Sequence, residues 1–194
     1  MRGLSKDIRD ETMGGCRVMT LFPTKKYRVI YADPPWHFGS RFRSTGSRQR
    51  PLGYGTMSTQ KICDLPVGGI SLQNSVLFLW TTDAHLEQAT WVINAWGFKY
   101  KTVAFVWNKL RSNPGNWTVK SCELCLLAAR GRAHAFLESF SQRQFVEAKG
   151  GRHSAKPDEV RARIGRMFGE AGPKIELFAR ERHEGWDAWG DELP

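Results

Sequence analysis

Asp33-Pro34-Pro35-Trp36 closes the β-branched and aromatic run Val29 to Ala32, and its residue types suit the holding of a planar amine. An ionised Asp33 only accepts hydrogen bonds. Pro34 has its φ set by its own ring, and the following Pro35 pins its ψ in the extended region. Its carbonyl therefore points one way at little further entropic cost. Trp36 adds a flat apolar face with one N–H. Two fixed acceptors beside an aromatic plane would suit a heterocycle with an exocyclic amine, a description that adenine meets. Asp and Pro are also ordinary turn formers, so the motif alone leaves a plain strand-to-loop turn open.

The elements that must position these residues follow from pattern. Lys25 to Ala32 reads as a strand. His37 to Met57 is a long polar loop that carries Arg41, Arg43, Arg48 and Arg50 among glycines. A loop of this length is a functional lid or a solvated flexible segment; as a lid, its arginines would hold substrate phosphates. Ser58 to Asp64 predicts a short helix and Val76 to Trp80 an apolar strand. Thr81 to Asp83 supply capping residues for a helix whose stripe is Leu86, Ala89, Ile93 and Trp96, stopped by Gly97.

Phe98 to Trp107 predicts the next strand, and Asn108 to Ser121 a second long loop with Lys109, Arg111, Trp117 and Lys120. Cations interleaved with a Trp suit a flipped base or a single strand, although Trp117 could equally anchor the loop on the core. Cys122 to Arg130 is an apolar strand, and Ala133 to Lys149 has no clean period. Pro157 to Phe168 predicts a helix with Pro157 in its first position, acids following, and Val160, Ile164, Met167 and Phe168 as its stripe. Lys174 to Ala179 is expected as the final strand, followed by a polar tail. Alternating strands and helices imply an α/β sheet covered on both faces.

Composition sets the outer bounds. The 194 residues, 41% of them hydrophobic, suit one soluble domain, with residues 1–20 as a loosely ordered leader and 21–194 as the folded unit. No run is long enough for a membrane-spanning helix and no signal peptide is recognisable, so a cytoplasmic protein without membrane association is expected. Lys and Arg number 29 against 19 acids, a net charge of +10. That excess is the footprint of a polyanion partner or of a solubilising surface. Cysteines 16, 63, 122 and 125 form no disulfide framework. Cys122 and Cys125 lack a second ligand pair and, three apart on a strand, face opposite sides, so no metal is expected. No G-x-G-x-x-G and no P-loop occurs, nor a zinc deaminase's ligand set.

Asp33-Pro34-Pro35-Trp36 after an apolar strand resembles the catalytic motif of the S-adenosylmethionine-dependent adenine-N6 methyltransferases. More narrowly it resembles the family of the mRNA adenosine methyltransferase catalytic subunit and its small bacterial and phage relatives. Tyr54-Gly55-Thr56-Met57-Ser58, Leu77-Phe78-Leu79-Trp80, Trp96-Gly97-Phe98, Lys156-Pro157-Asp158-Glu159 and Lys174 to Arg180 recur in the family's order, so the resemblance covers residues 27 to 193.

The resemblance implies a Rossmann-like class I methyltransferase fold with a single mixed, mostly parallel sheet. It implies S-adenosyl-L-methionine as cofactor and a nucleic acid as substrate, in a bacterial or phage-infected cell, with either a homo- or a heterodimer compatible. Asp33, Pro34, Pro35 and Trp36 would be catalytic, with stacking on Trp36 or Tyr54. Lys156 would bind the methionyl carboxylate, beside Asp33; Arg180 and His183 would contact the ribose. Asp191 and Glu192 stand where relatives place an amide pair, and His183 where an Asn is usual. Small size and similarity to bacterial and phage members point to DNA. RNA is the alternative substrate, a non-catalytic nucleic-acid-binding partner subunit a second class, and cytosine amino methylation a third.

Overall fold

The computed structural model describes residues 21–37, 55–115, 117–151, 155–169 and 171–194. The expected leader, the four loop arginines Arg41, Arg43, Arg48 and Arg50, and Tyr54 lie outside the described residues.

The strands are β1 (Tyr27–Ala32), β2 (Ser71–Thr81), β3 (Lys99–Asn113), β4 (Lys120–Arg130), β5 (Phe145–Glu147), β6 (Lys174–Leu177) and β7 (Asp187–Trp189). The helices are α1 (Thr59–Cys63), α2 (Val67–Ile70), α3 (Leu86–Ala95) and α4 (Asp158–Phe168). One sheet takes the order β5-β3-β4-β2-β1-β6-β7. Every neighbouring pair is parallel except those that β4 makes with β2 and β3. This is the expected mixed, mostly parallel α/β sheet.

Alternation along the central strands sends side chains to two cores. Ile30 and Ala32 of β1 and Leu77 and Leu79 of β2 pack with Ile62 of α1, Val67 and Ile70 of α2, and Ala89, Val92 and Ile93 of α3. Val29 and Tyr31, with Val76, Phe78 and Trp80, pack on the opposite face against Val160, Ile164 and Phe168 of α4. Strands buried on both faces read as continuous apolar runs for this reason. The register of β1 on β2 shifts between Tyr27 and Val29, so Tyr27 joins the first core although Val29 joins the second.

β1 lies between β2, reached through α1 and α2 on one face, and β6, reached through α4 on the other. That is a switch point of an open α/β sheet, where a crevice forms beyond the strands' carboxyl ends. Asp33 is the first residue past that end.

Several sequence expectations are corrected. Asn108 to Ser121 is not a loop: β3 runs to Asn113 and β4 starts at Lys120, paired as a hairpin. A tight hairpin can join only antiparallel strands, which is why β4 is reversed. The tail after residue 179 is not merely polar coil, because Asp187–Trp189 adds β7 beside β6. Leu86 is exposed, and Val92 takes its place in the buried stripe of α3. Pro157 is the N-cap of α4, with extended dihedrals (φ −61°, ψ 130°), and not its first helical residue. Gly97, at φ +80°, terminates α3 as expected. No helix among the described residues is long and apolar enough to cross a membrane.

Phe78 is fully buried, with its ring centroid 6.1 Å from Phe105 of β3 and 6.0 Å from Phe168 of α4. Truncation there opens a cavity between sheet and helix. Phe78→Ala is expected to cost about 3–5 kcal/mol, measured as a fall in the urea midpoint; a loss under about 1 kcal/mol contradicts this packing.

Candidate active site

Asp33 leaves the end of β1 and meets a lysine brought from 123 residues further along the chain. Lys156 Nζ donates to Asp33 Oδ2 at 2.6 Å and lies 3.3 Å from Glu123 Oε2 of β4. Lys109 of β3 holds the other oxygen of Glu123 at 3.0 Å. The four charges alternate in sign and sum to zero. The side chains of Lys156, Glu123 and Asp33 retain 10%, 12% and 26% exposure, so the chain of charges is sunk in the protein with Asp33 at its open end.

A lysine just before a helix N-terminus opposes the helix dipole. Here two carboxylates offset that cost, and the Trp80 ring lies 5.5 Å from the ammonium. Burial pulls the Lys156 pKa down, but Asp33 and Glu123 more than reverse this and raise it, so Lys156 stays charged. Burial pushes the Asp33 carboxyl up, and Lys156 only partly pulls it back; nearby Glu123 adds to the rise. Burial also raises the thiol of Cys125.

The backbone of the four-residue motif is locked by its surroundings. Trp36 N donates to Pro34 O at 2.9 Å, and Met57 N donates to Pro35 O at 2.8 Å. The Pro34 carbonyl thus spends one of its two acceptor positions within the motif. Trp36 is 6% exposed, donates its indole N–H to Trp80 O at 3.0 Å and stacks on His85 at 5.4 Å. The expectation that Trp36 offers a face to a base is therefore corrected: its faces are packed, and it anchors the motif to the end of β2. His85 completes that anchor through Thr82 Oγ1 at 2.9 Å and His37 O at 3.2 Å.

A cleft opens in front of Asp33. One wall is Asp33, Pro35, Gly55 and Met57. The other consists of Phe178, Ala179 and Arg180 after β6, with Trp189 at the end of β7 and Gly190, Asp191 and Glu192 after it. Ala179 N donates to Trp189 O at 3.0 Å, which extends the β6–β7 pairing into the wall. Gly190 packs on the backbone: a Cβ there would strike Ala179 O and lie 2.7 Å from Ala179 N. Phe178 has φ +62°, a left-handed conformation that costs a non-glycine residue about 1–3 kcal/mol and clusters at functional sites. Its ring meets Trp189 edge-on at 5.6 Å. Arg180 Nε lies 3.5 Å from Glu192 Oε2.

The structure thus gathers Asp33, Arg180, Asp191 and Glu192 around one cleft, with Lys156 directly behind Asp33. It does not bring His183 into that lining; the His183 carbonyl accepts Trp186 N at 3.1 Å in the turn before β7. Trp117, considered as a core anchor, is 97% exposed. Sequence reading missed Glu123, Phe178, Trp189 and Gly190. Glu123 alone had a signal, an acid inside an otherwise apolar strand, where a buried charge needs a partner. Among the described residues no His, Cys, Asp and Glu cluster is arranged to hold a metal ion. Cys122 is exposed and Cys125 buried, on opposite sides of β4 as their spacing predicts.

Comparison with known proteins gives this geometry a context. The model of the MT-A70 family matches residues 27–192. The chain is 36% identical over 192 residues to the Type II methyltransferase M.MunI of Mycoplasma sp, which spans 91% of this chain and 82% of that protein. It is 28% identical over 178 residues to a putative N(6)-adenosine-methyltransferase MT-A70-like of Medicago truncatula, covering 87% of this chain and 26% of that one. Over 201 residues it is 24% identical to the N6-methyladenosine RNA methyltransferase MTA1 of Pyricularia oryzae, covering 94% of this chain and 51% of that one.

The charge network makes a titration testable. With its pKa raised by burial, Asp33 takes up a proton at a higher pH than a free aspartate does, so its capacity to accept disappears earlier on acidification. Lys156→Met removes the cation that holds the value down and should raise it further. Carboxyl carbon chemical shifts followed against pH in both proteins measure this; a lower pKa in the variant contradicts the arrangement.

Proposed function

The chain belongs to the MT-A70 family, and on that premise we propose that it transfers a methyl group from S-adenosylmethionine to the N6 amine of adenine in DNA. The observation that carries this reading is Asp33, an acceptor held at the mouth of a switch-point cleft by a buried lysine. DNA is favoured over RNA because M.MunI, a Type II methyltransferase, matches along most of both chains. The relatives named for adenosine or RNA are longer proteins of which this chain spans 26% and 51%.

The cleft has groups that suit S-adenosylmethionine. Asp191 and Glu192 offer acceptors to ribose hydroxyls and the rings of Phe178 and Trp189 suit an adenine plane, while Lys156, behind Asp33 and already on two carboxylates, has a third donor for the methionyl carboxylate. When bound, S-adenosylmethionine supplies a methyl group activated by its sulfonium.

The protein's own task is to prepare the nucleophile. An adenine amine is weak because its lone pair is delocalised into the ring. Asp33 accepts one N–H and the remaining acceptor position of Pro34 O takes the other, which favours pyramidalisation and frees the lone pair. A hydrogen bond to a charged acceptor contributes about 1.5–3 kcal/mol. Alignment of nitrogen with the methyl carbon supplies the larger share, and here the locked backbone of residues 34–36 gives it. As the methyl carbon–sulfur bond broke, with its electron pair returning to sulfur, the methylated amine would be cationic and acidic, so Asp33 could receive its proton without being a strong base. Lys156 keeps the carboxylate aimed throughout.

Asp33→Ala should lower methyl transfer by about 10²–10⁴-fold, with an unchanged circular dichroism spectrum and retained cofactor binding by calorimetry. Turnover within tenfold of wild type contradicts the role. Incubation with labelled cofactor and matched DNA and RNA oligonucleotides, followed by nucleoside analysis, tests the substrate. N6-methyladenine in DNA is expected; transfer confined to RNA, or to cytosine, overturns the proposal.

A further inference from the structure

The proposed chemistry leaves the far end of the β3–β4 hairpin unused, yet that end carries an exposed apolar group. Trp117 is 97% exposed, Val119 69% and Leu110 55%. From Asn108 to Ser121 the sequence has three cations, Lys109, Arg111 and Lys120, and no acid. Two of the three are tied to acids: Lys109, at the base of the ribbon, to Glu123 at 3.0 Å, and Lys120, in the last pair before the turn, to Asp83 at 2.7 Å.

The ribbon is shaped to present these groups. Between the pairs Asn108–Cys122 and Asn113–Lys120, residues 109 to 112 stand against Ser121 alone, a large bulge. Within it Leu110 adopts φ +53°, and its N–H donates to Asn108 Oδ1 at 3.2 Å. Gly115 closes the turn so tightly that a Cβ would strike Thr118 O and lie 2.7 Å from Lys120 Cε. Bulges and left-handed residues at such positions re-aim side chains.

The hairpin also leads to the reacting centre. A cleft at its base is lined by Trp107, Lys109, Arg111, Asn113, Gly150 and Gly151. Lys109 shares Glu123 with Lys156, the partner of Asp33. The hairpin that carries the exposed indole thus also carries, on β3 and β4, the Lys109 and Glu123 of the charge network behind Asp33.

Duplex DNA poses a problem that this device answers. A paired adenine cannot present its amine to Asp33 until it leaves the stack. A two-stranded ribbon fits a DNA groove, and apolar side chains inserted between base steps unstack them. We infer that the β3–β4 hairpin enters duplex DNA and that Trp117 is a wedge, its indole filling the place of the extruded adenine. The inference rests on the reading of the chain as a DNA adenine methyltransferase. The occupant is taken as DNA, not a second protein, because residues 108 to 121 contain no acid, Arg111 lines the cleft at the hairpin's base, and the chain has a net charge of +10.

Trp117→Ala and Trp117→Phe, with wild type, should be assayed for labelled methyl incorporation into native and heat-denatured plasmid DNA. A wedge is needed only where bases are stacked in a duplex. Trp117→Ala should lose roughly 10- to 100-fold more kcat/KM on native than on denatured DNA, and Trp117→Phe should recover most of it. Equal losses on both templates, or no loss on either, overturn the wedge. Relaxation of closed circular plasmid by topoisomerase I in the presence of protein reads unwinding without turnover: wild type should shift the linking number and Trp117→Ala should not. The same shift for both, or none for wild type, overturns the wedge even if the chain proves to methylate nothing, which would sink the enzymatic reading separately. Conversion of a dimer to a monomer by Trp117→Ala in sedimentation would assign the hairpin to a protein interface instead.

Discussion

An ammonium set between two carboxylates joins the end of the first strand to the start of the last helix. Removing these charges from water costs several kcal/mol per ion, and their mutual attraction does little more than return it. The network of Asp33, Lys156, Glu123 and Lys109 is therefore a device of position more than of stability. It sets the direction of one carboxylate at the edge of a cleft. It also keeps that carboxylate paired before any ligand arrives. Because Lys156 stands between two acids, neither acid has to face the other unneutralised.

The sheet supplies the distances over which this network can form. β1 lies inside the sheet between β2 and β6, and these neighbours are reached across opposite faces, which leaves the crevice beyond Ala32 open. β4 runs against the rest of the sheet and brings Glu123 back to the same end as Asp33. A parallel strand in its place would need a long crossover and would not produce a projecting hairpin. The reversed strand thus contributes both to the charge network and to the exposed ribbon.

Particular residues show where sequence reading succeeds and where it stops. The apolar run before Asp33, the acids opening α4 and the glycine after α3 report local preferences, and the structure contains a strand end, a helix start and a helix stop there. Trp36 could be recognised as part of a motif, yet not as a buried anchor, because its hydrogen bond to Trp80 O and its stacking on His85 span 44 and 49 positions of chain. The length of β3 was equally hidden: residues 108 to 113 are polar except for Leu110, and the extension is held to β4 by the pairs at Asn108 and Asn113, not by propensity. β7 is three residues long and is a strand only because β6 lies beside it.

What the sequence determined by itself was the α/β alternation, the apolar strand ending in Asp-Pro-Pro-Trp and the basic balance of the chain, since each depends on residue type and on spacing within a few positions. Which charges meet was decided by the tertiary structure. Lys156 finds Asp33 and Glu123, Gly190 seats on Ala179, and Trp117 stays in solvent because the sheet's order brings distant segments to one edge and leaves one hairpin beyond it. Local preferences act over a few residues, whereas a cleft is made from strand ends whose adjacency no nearby residue encodes.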